Sequence, residues 1–569
     1  MLLVSDEQIR EYTERGWWGS DTVVDLLLRN VQSTSDAVAV VDPPNRAELV
    51  GGVPIRLTYD ELRQAMNRLA GRLLDAGIKK DDVVMVQLPN IVELVCVYLA
   101  AARIGAIVSP LPVQYRTHEL QQVMKITEPT AFVTTTNFGG FNFVKMVRAM
   151  QPEFPSLMTI LAIGQDLPEG VLSLQELLTS PCDEETLQAY LTEHPTSANE
   201  VFTVCWTSGT EAEPKGVARS HNHWIAIAYA SVDGCELDPG TNLLNPFPLI
   251  NMAAIGGMLV PWLLTGGKLA LHHPLSLPVF LGQIQAEKIN YTVVPPALLN
   301  MLLQNPAILA STDISSIKNI GSGAAPLSPW MVTQYQEKYG IHVINMFGSN
   351  EGASFTSGPK DIPDPAERAQ YFPRFGVPGY EWASRMAGMM STKLVDPVSK
   401  EIIAEPGIPG EMAIKGAAIF SGYYKRPDLT QRAFDDEGYF YTGDLFEIAG
   451  DGDNLNRYRF VSRLKEIIIR GGMNISSQEI EALIIEHPKV AEVAVVGYAD
   501  ERLGEKVCAV VALKKDQSIT LGEIVEFLKA KDVAVYKLPE RLVVVDSLPR
   551  NPVGKVLKRV LQETVQELT

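Results

Sequence analysis

Residues 201–217 read VFTVCWTSGTEAEPKGV. The first six, rich in β-branched and aromatic side chains, predict a buried strand, and a run of hydroxyls and glycine follows it directly. Such a loop offers backbone N–H groups and hydroxyls that can wrap a phosphate, and Lys215 adds positive charge. The G-x-x-x-x-G-K-[ST] pattern of a Walker A loop is absent. Taken alone, the composition also suits an ordinary Ser/Gly/Pro turn.

Outward from this strand, helical patterns alternate with short apolar runs. Residues 59–76 (YDELRQAMNRLAGRLLDA) place Leu62, Met66, Leu69 and Leu73 on one face, with Asp60 as the helix start. The runs VVMVQL (83–88), AIVSPL (106–111), TAFVTT (130–135), TILAI (159–163), KLAL (268–271), YTVVP (291–295) and HVINMF (342–347) read as strands. Strands separated by helices predict parallel α/β layers. Near residue 390 the pattern changes to short strands with Asp-Pro and Pro-Gly turns, which predicts a small β-rich, barrel-like part. After Arg463 a strand, a glycine turn, a helix over 478–485 capped by Ser476 or Ser477, and another strand follow in compact order. The expected division is therefore an N-terminal domain over 1–462, built of two layered α/β lobes and the β-rich part. A small α+β C-terminal domain over 463–569, roughly 105 residues long, completes it.

The 569 residues carry 67 acidic and 49 basic side chains, a net charge of −18. A strongly acidic chain repels a phosphate backbone, which excludes sequence-independent nucleic-acid binding. Five cysteines lie far apart with no C-x-x-C pair, so neither a disulfide scaffold nor a zinc cluster is expected. The start, MLLVSDEQIREYTERGWW, places acids and an arginine where a secretory leader needs an apolar stretch. The longest apolar run, Ile91 to Val108, contains Glu93 and Arg103 and reads as a buried helix feeding a strand. The run from Met252 to Leu264 is short and interrupted by Gly256, Gly257 and Pro261. These features predict a soluble, cytoplasmic protein without a membrane span.

Seven segments together carry a resemblance: TSGTEAEPKG (207–216), GSGAAPL (321–327), MFGSNEG (346–352), FSGYYKRPDLT (420–430), YTGD (441–444), SRLKEIIIRGGMNISSQEIE (462–481) and PRNPVGKVLKR (549–559). In this order and spacing, across nearly the whole chain, they resemble the adenylate-forming superfamily of acyl-CoA synthetases, aryl-acid ligases and adenylation domains. The resemblance implies that Thr207, Ser208, Gly209, Thr210 and Lys215 hold the phosphates of ATP. Phe347 takes the place of an adenine-stacking aromatic, with Gly323, Ala324, Ala325 and Pro326 on the other side and Gly348, Ser349 and Asn350 at the nucleotide. Glu351 would bind Mg2+, a hard cation suited to carboxylate and phosphate oxygens. Asp444 would accept from the ribose hydroxyls and Arg463 donate to the same sugar. Lys555 would reach the carboxylate and the α-phosphate and stabilise the charge that develops there. Lys465 occupies the hinge position, and Gly471 and Gly472 offer a side-chain-free path for the pantetheine arm of CoA. Trp224, Asn251, Ala253 and Ile255 are expected at the acyl pocket.

Three departures from the family pattern stand out, at four positions. Glu211 and Ala212 replace a hydroxyl residue and a glycine in the phosphate loop, and Asn350 replaces a threonine. Asn251 stands where many members carry histidine or an aromatic. The implied activity is joining a hydrophobic medium-chain, alicyclic or aromatic acid to CoA through an acyl-AMP. An aryl-acid ligase that loads a carrier-protein arm is the alternative, and a non-catalytic nucleotide-binding relative is a more distant one. A homodimer is compatible with the sequence.

Overall fold

The structure, a computed structural model, describes residues 1–207, 214–451, 454–471, 473–500, 502–531, 533–551 and 555–567. The chain forms two compact units. One comprises Met1–Ala369, Phe375–Ser391 and Lys415–Phe440, and the other Gln370–Arg374, Thr392–Ile414 and Tyr441–Thr569.

The first unit holds two large sheets. In the eight-stranded sheet the order is Ser354–Ser357, His342–Gly348, Asn319–Gly323, Tyr291–Val293, Leu243–Asn245, Leu269–Leu271, Val38–Val41 and Arg56–Thr58. Only its two edge pairings are antiparallel. The seven-stranded sheet runs Lys215–Ser220, Val201–Thr207, Ile107–Pro110, Val83–Val86, Ala131–Thr135, Thr159–Ile163 and Val171–Ser173. Its one antiparallel pairing is the first, which makes Val201–Thr207 and Lys215–Ser220 a hairpin. The inner strands are buried on both faces, as parallel strands covered by helices must be. The alternating pattern in the sequence reported this layering.

Local signals set the element ends. The helix Tyr59–Asp75 starts one residue earlier than expected, and Thr58, not Asp60, is its cap. Thr58 Oγ1 accepts from the Glu61 N–H at 3.2 Å, and Glu61 accepts from the Thr58 N–H at 2.8 Å. This reciprocal box satisfies two donors, whereas Asp60 instead binds Arg63. The helix Val92–Arg103 is buried nearly all round, and its Glu93 is paired with Arg46. The run from Met252 is not interrupted by its glycines. It stays helical through Met252–Ala254, the π-helical Ile255–Leu259 and Val260–Thr265. Gly256 permits this: a Cβ there would lie 2.8 Å from Met252 Sδ and 3.2 Å from the Trp224 ring.

The second unit contains a six-stranded sheet ordered Tyr371–Pro373, Asn454–Arg463, Phe440–Asp451, Gly410–Gly416, Met390–Val395 and Ile402–Ile403. It also contains a five-stranded sheet, in which Met473–Ser476, Ile467–Arg470, Gly504–Leu513 and Val490–Asp500 follow in order and Arg541–Val545 pairs with Gly504–Leu513. The chain passes from one sheet to the other through the 3-10 turn Leu464–Glu466, so the expected division at residue 463 falls at this turn, inside the second unit. Ser476 is the cap of the following helix, Ser477–Ile484. No helix among the described residues is long and apolar enough to cross a membrane.

A buried ion network joins elements of the first unit. Arg46 lies 2.5 Å from both Asp42 and Glu93, and all three side chains are at most 3% exposed. Burial raises the Asp42 carboxyl, with Arg46 opposing. Removing one partner leaves buried charge uncompensated, so Arg46→Met is expected to cost about 3–5 kcal/mol. Denaturant unfolding followed by fluorescence checks this; a loss below about 1 kcal/mol would show that the carboxylates need no cation.

Candidate active site

Residues 208–213, the loop whose composition first suggested phosphate binding, lie outside the described residues. With them go the expected roles of Ser208, Gly209 and Thr210 and the departures Glu211 and Ala212. The hairpin that carries the loop is described. Thr207 and Lys215 are opposed in register, and Thr207 Oγ1 donates to the Lys215 carbonyl at 3.5 Å.

Lys215 and Glu351 are brought to one aromatic ring. The Lys215 ammonium lies 5.7 Å from the centre of the Tyr423 ring, and the Tyr423 hydroxyl donates to Glu351 Oε1 at 3.2 Å. The backbone sets this meeting: Val217 pairs with Tyr423, and the Tyr424 N–H donates to the Gly216 carbonyl at 2.8 Å. Tyr423 belongs to the FSGYYKRPDLT segment, but nothing in that string alone marks which of its two tyrosines reaches the carboxylate.

Phe347 lies at the end of the strand His342–Gly348, half-buried, with its ring 6.0 Å from Phe355. Gly323 pairs with Met346, which sets residues 324–326 beside it. A Cβ at Gly323 would come 2.0 Å from the Met346 carbonyl oxygen, so that position accepts only glycine. Ala324 then takes a left-handed φ of 64°, a conformation costly for a residue with a Cβ. Ala324, Ala325 and Pro326 are exposed.

Gly348, Ser349, Asn350 and Glu351 form a tight turn in which the Ser349 N–H donates to the Ala353 carbonyl at 2.9 Å. Asn350 braces this turn. Its Oδ1 accepts from the Met252 N–H at 2.9 Å, and its Nδ2 donates to the Trp206 carbonyl at 3.4 Å. One further Nδ2 hydrogen remains beyond that bond. The Ser349 hydroxyl and Asn251 Oδ1 are shielded and have no hydrogen-bond partner among the described residues.

The residues expected at the acyl pocket fall into different environments. Trp224 is completely buried, donates its indole N–H to Thr203 Oγ1 at 2.9 Å, and packs as a core aromatic. Ile255 is also completely buried, Asn251 is half-buried and Ala253 is exposed. The bond from Met252 to Asn350 joins this segment to the turn that carries Glu351.

Arg219 was not anticipated as part of the site. It is completely buried beneath the turn, and its guanidinium donates to the carbonyls of Asn350 (2.9 Å), His223 (2.9 Å) and Ala418 (2.8 Å). It also lies 4.6 Å from the Trp224 ring centre. Burial pushes the guanidinium down to about 9. A charged residue directly after the apolar pair Val217 and Ala218 of a strand is the one sequence signal that could have marked it.

In the second unit, Asp444 and Arg463 oppose each other across two antiparallel strands, with Nε 3.5 Å from Oδ1. Lys555 stands just inside the Arg550–Val556 bridge; its N–H donates to Asn551 Oδ1, and the Asn551 N–H to its carbonyl, both at 2.8 Å. The residue's surface is open to water, yet protein crowds its charged end. That desolvation, with the charges of Arg463 and Lys465, pushes the ammonium down to about 8, while Glu466 and Asp444 pull the other way. Lys465 is exposed in the turn Leu464–Glu466. Gly471 has φ of 57° and donates its N–H to the Leu503 carbonyl at 2.7 Å; its expected partner Gly472 lies outside the described residues.

The donor set suits Mg2+ better than a metal held wholly by protein. No group of three or more His, Cys, Asp or Glu side chains gathers among the described residues. Glu351 offers one carboxylate whose second oxygen the Tyr423 bond does not use, and Mg2+ typically takes one or two carboxylates plus substrate phosphates.

Comparison with known proteins agrees with this arrangement. The medium-chain fatty-acid–CoA ligase of Escherichia coli (strain K12) is 31% identical over 99% of this chain and 94% of its own length. A salicylyl-CoA synthase / salicylate adenylyltransferase of Streptomyces sp is 30% identical over 98% of this chain and 96% of its own. The crystal structure of ATP-bound MatB from Rhodopseudomonas palustris superimposes with a TM-score of 0.77 at 25% identity, covering 96% of this chain and 99% of that one. Residues 27–424 match the AMP-binding enzyme family and residues 479–555 its C-terminal domain. With both parts matched in order, the chain belongs to the AMP-binding enzyme family.

Proposed function

We propose that this chain is an ATP-dependent carboxylic acid–CoA ligase that forms AMP, acting on a hydrophobic medium-chain, alicyclic or aromatic acid. In the first step a carboxylate oxygen attacks the α-phosphorus of ATP, the bond to the bridging oxygen breaks, and pyrophosphate leaves. In the second, the CoA sulfur attacks the acyl carbon, AMP departs with the electrons of the C–O bond, and the thiol proton is released.

The observation that carries this reading is the setting of Lys555. An ammonium held near neutrality beside Arg463, Lys465 and Asp444 is poised to meet developing negative charge. Lys215, with Thr207, Ser208, Gly209 and Thr210, is assigned to the phosphates, Phe347 and residues 323–326 to the adenine, and Asp444 and Arg463 to the ribose. Mg2+ held by Glu351 would supply charge neutralisation on the phosphates. Lys465 is assigned to a hinge dividing residues 1–462 from 463–569, and Gly471 and Gly472 to the pantetheine path. Asn251, Ala253, Ile255 and Trp224 are assigned to the acyl pocket or its backing, where apolar burial contributes about 25 cal/mol per Å². The second reading, an aryl-acid–AMP ligase that transfers to a phosphopantetheinyl carrier protein, has in its favour the 27% identity over 99% of this chain to a 2,3-dihydroxybenzoate-AMP ligase of Bacillus subtilis (strain 168), whose name is that of an aryl-acid–AMP ligase.

AMP release from a panel of acids, with CoA and separately with a loaded carrier protein, decides between the two. Turnover with free CoA alone supports the ligase; turnover only with the carrier overturns it. Lys555→Ala is expected to abolish pyrophosphate formation while a presynthesised acyl-AMP still reacts with CoA. Equal loss of both half-reactions would remove the assigned role. Because the ammonium must stay charged, pyrophosphate formation is expected to fall as pH rises through about 8. Lys555→Arg should carry that limb to higher pH, since guanidinium stays protonated; an unmoved limb would assign it to another group.

A further inference from the structure

Lys558 is the first residue of the helix Lys558–Glu567, three positions after Lys555. Its ammonium lies 2.7 Å from Glu481 Oε1 and 3.2 Å from Glu466 Oε2, and it donates to Ser477 Oγ at 2.8 Å. The three charged side chains are only 14–19% exposed. Glu481 is held in turn by the Val495 N–H at 2.7 Å. The ammonium thus joins the helix Ser477–Ile484, the helix Lys558–Glu567 and the turn Leu464–Glu466.

Such a network is an inefficient source of stability, because each ion loses its hydration and an apolar replacement of similar shape often does as well. Its position offers another use. Glu466 follows Lys465 in the turn between the two sheets, and the charges nearest it include Lys555 and Arg463 as well as Lys558. Against the penalty of burial, Lys558, Lys555 and Arg463 hold Glu466 below the usual carboxylate range. The segment carrying Lys555 is closed at its base by the Leu557 N–H donating to the Pro549 carbonyl at 2.8 Å, and Lys558 anchors it immediately beyond. On the other side, Ser476 Oγ donates to the Val461 carbonyl at 2.7 Å, tying the strand before the turn to the helix cap.

We propose that Lys558 and Glu466 are a positioning pair for the adenylation step: Lys558, seated on Glu481 and Ser477, holds the Glu466 carboxylate at the segment that carries Lys555. Neither residue touches the reacting atoms. Glu466 supplies the negative charge that, with Asp444, offsets Arg463 and Lys465 around the Lys555 ammonium, and Lys558 keeps it there. This rests on the adenylation reading, but one of its tests does not.

The test compares the full-length chain with Glu466→Gln, Lys558→Met, the double variant and Lys558→Arg. Pyrophosphate formation and acyl transfer from presynthesised acyl-AMP to CoA are measured separately. Each of the first two substitutions is expected to slow pyrophosphate formation about tenfold, and the double variant no more than either, as a coupled pair requires. Lys558→Arg should restore most of the rate, and acyl transfer should stay within about twofold throughout. Additive losses, or equal slowing of both half-reactions, would overturn the pair. Glu466→Gln is nearly isosteric, and its unfolding midpoint checks that the fold is kept. Independently of any turnover, competitive acetylation read by mass spectrometry across pH titrates Lys555 directly. In Glu466→Gln the Lys555 titration is expected to move to lower pH, because a facing carboxylate no longer favours the ammonium. An unchanged titration overturns the proposal even in a chain that forms no pyrophosphate with any acid, whereas that lack of turnover alone would count against the adenylation reading.

Discussion

A guanidinium sealed in the interior of the first unit organises the turn that carries Glu351. Arg219 is completely buried, and its hydrogen bonds among the described residues all go to carbonyl oxygens, while Nε is left without a partner. Moving a cation out of water costs several kcal/mol, so the three carbonyls must stay aimed at it. They come from the start of the helix His221–Gly234, from the turn at Asn350 and from the segment before Phe420. The turn that presents Glu351 is therefore fixed from beneath by an obligation to solvate charge. Gly352 shows how tight the fit is: with φ of 109°, a Cβ there would lie 2.8 Å from Arg219 Nη1. Above, the Phe420 N–H donates to the Glu351 carbonyl at 2.8 Å, closing the same turn.

The second unit solves a different electrostatic problem. A chain of net charge −18 that is proposed to act on ATP and CoA, both polyanions, must concentrate cations locally. Around Lys555 it does so with Arg463 and Lys465, and the crowding is expensive: the ammonium is pushed down to about 8. Asp444 and Glu466 limit that cost without cancelling the field. Overall charge thus speaks only against sequence-independent binding to a phosphate backbone and carries no information about nucleotides, because a handful of placed side chains reverses the average where it matters.

Much of this was readable in the linear sequence. Alternation of apolar runs with helical periodicity reported two parallel sheets because inner strands such as Val83–Val86 must be apolar on both faces. Shorter-range signals did less well. Asp60 and Thr58 are equally good cap residues on paper, and what decides between them is the carboxylate of Glu61 reaching back to the Thr58 N–H. Glycines at 256 and 257 look like helix breakers, yet the segment stays helical, and Gly256 lets its π-helical part lie against Trp224.

By itself, then, the sequence determined the layered α/β architecture, the family and the identity of the motif residues, since periodicity and ordered motifs are properties of the chain. Tertiary structure alone decided which of those residues meet. Tyr423 reaches Glu351 across a bridge to Val217, Arg219 gathers carbonyls from 223, 350 and 418, and Lys558 joins Glu466 to Glu481. These contacts depend on register and on burial. Both are set by how sheets and helices pack, and neither leaves a local mark in the residues that make the contact.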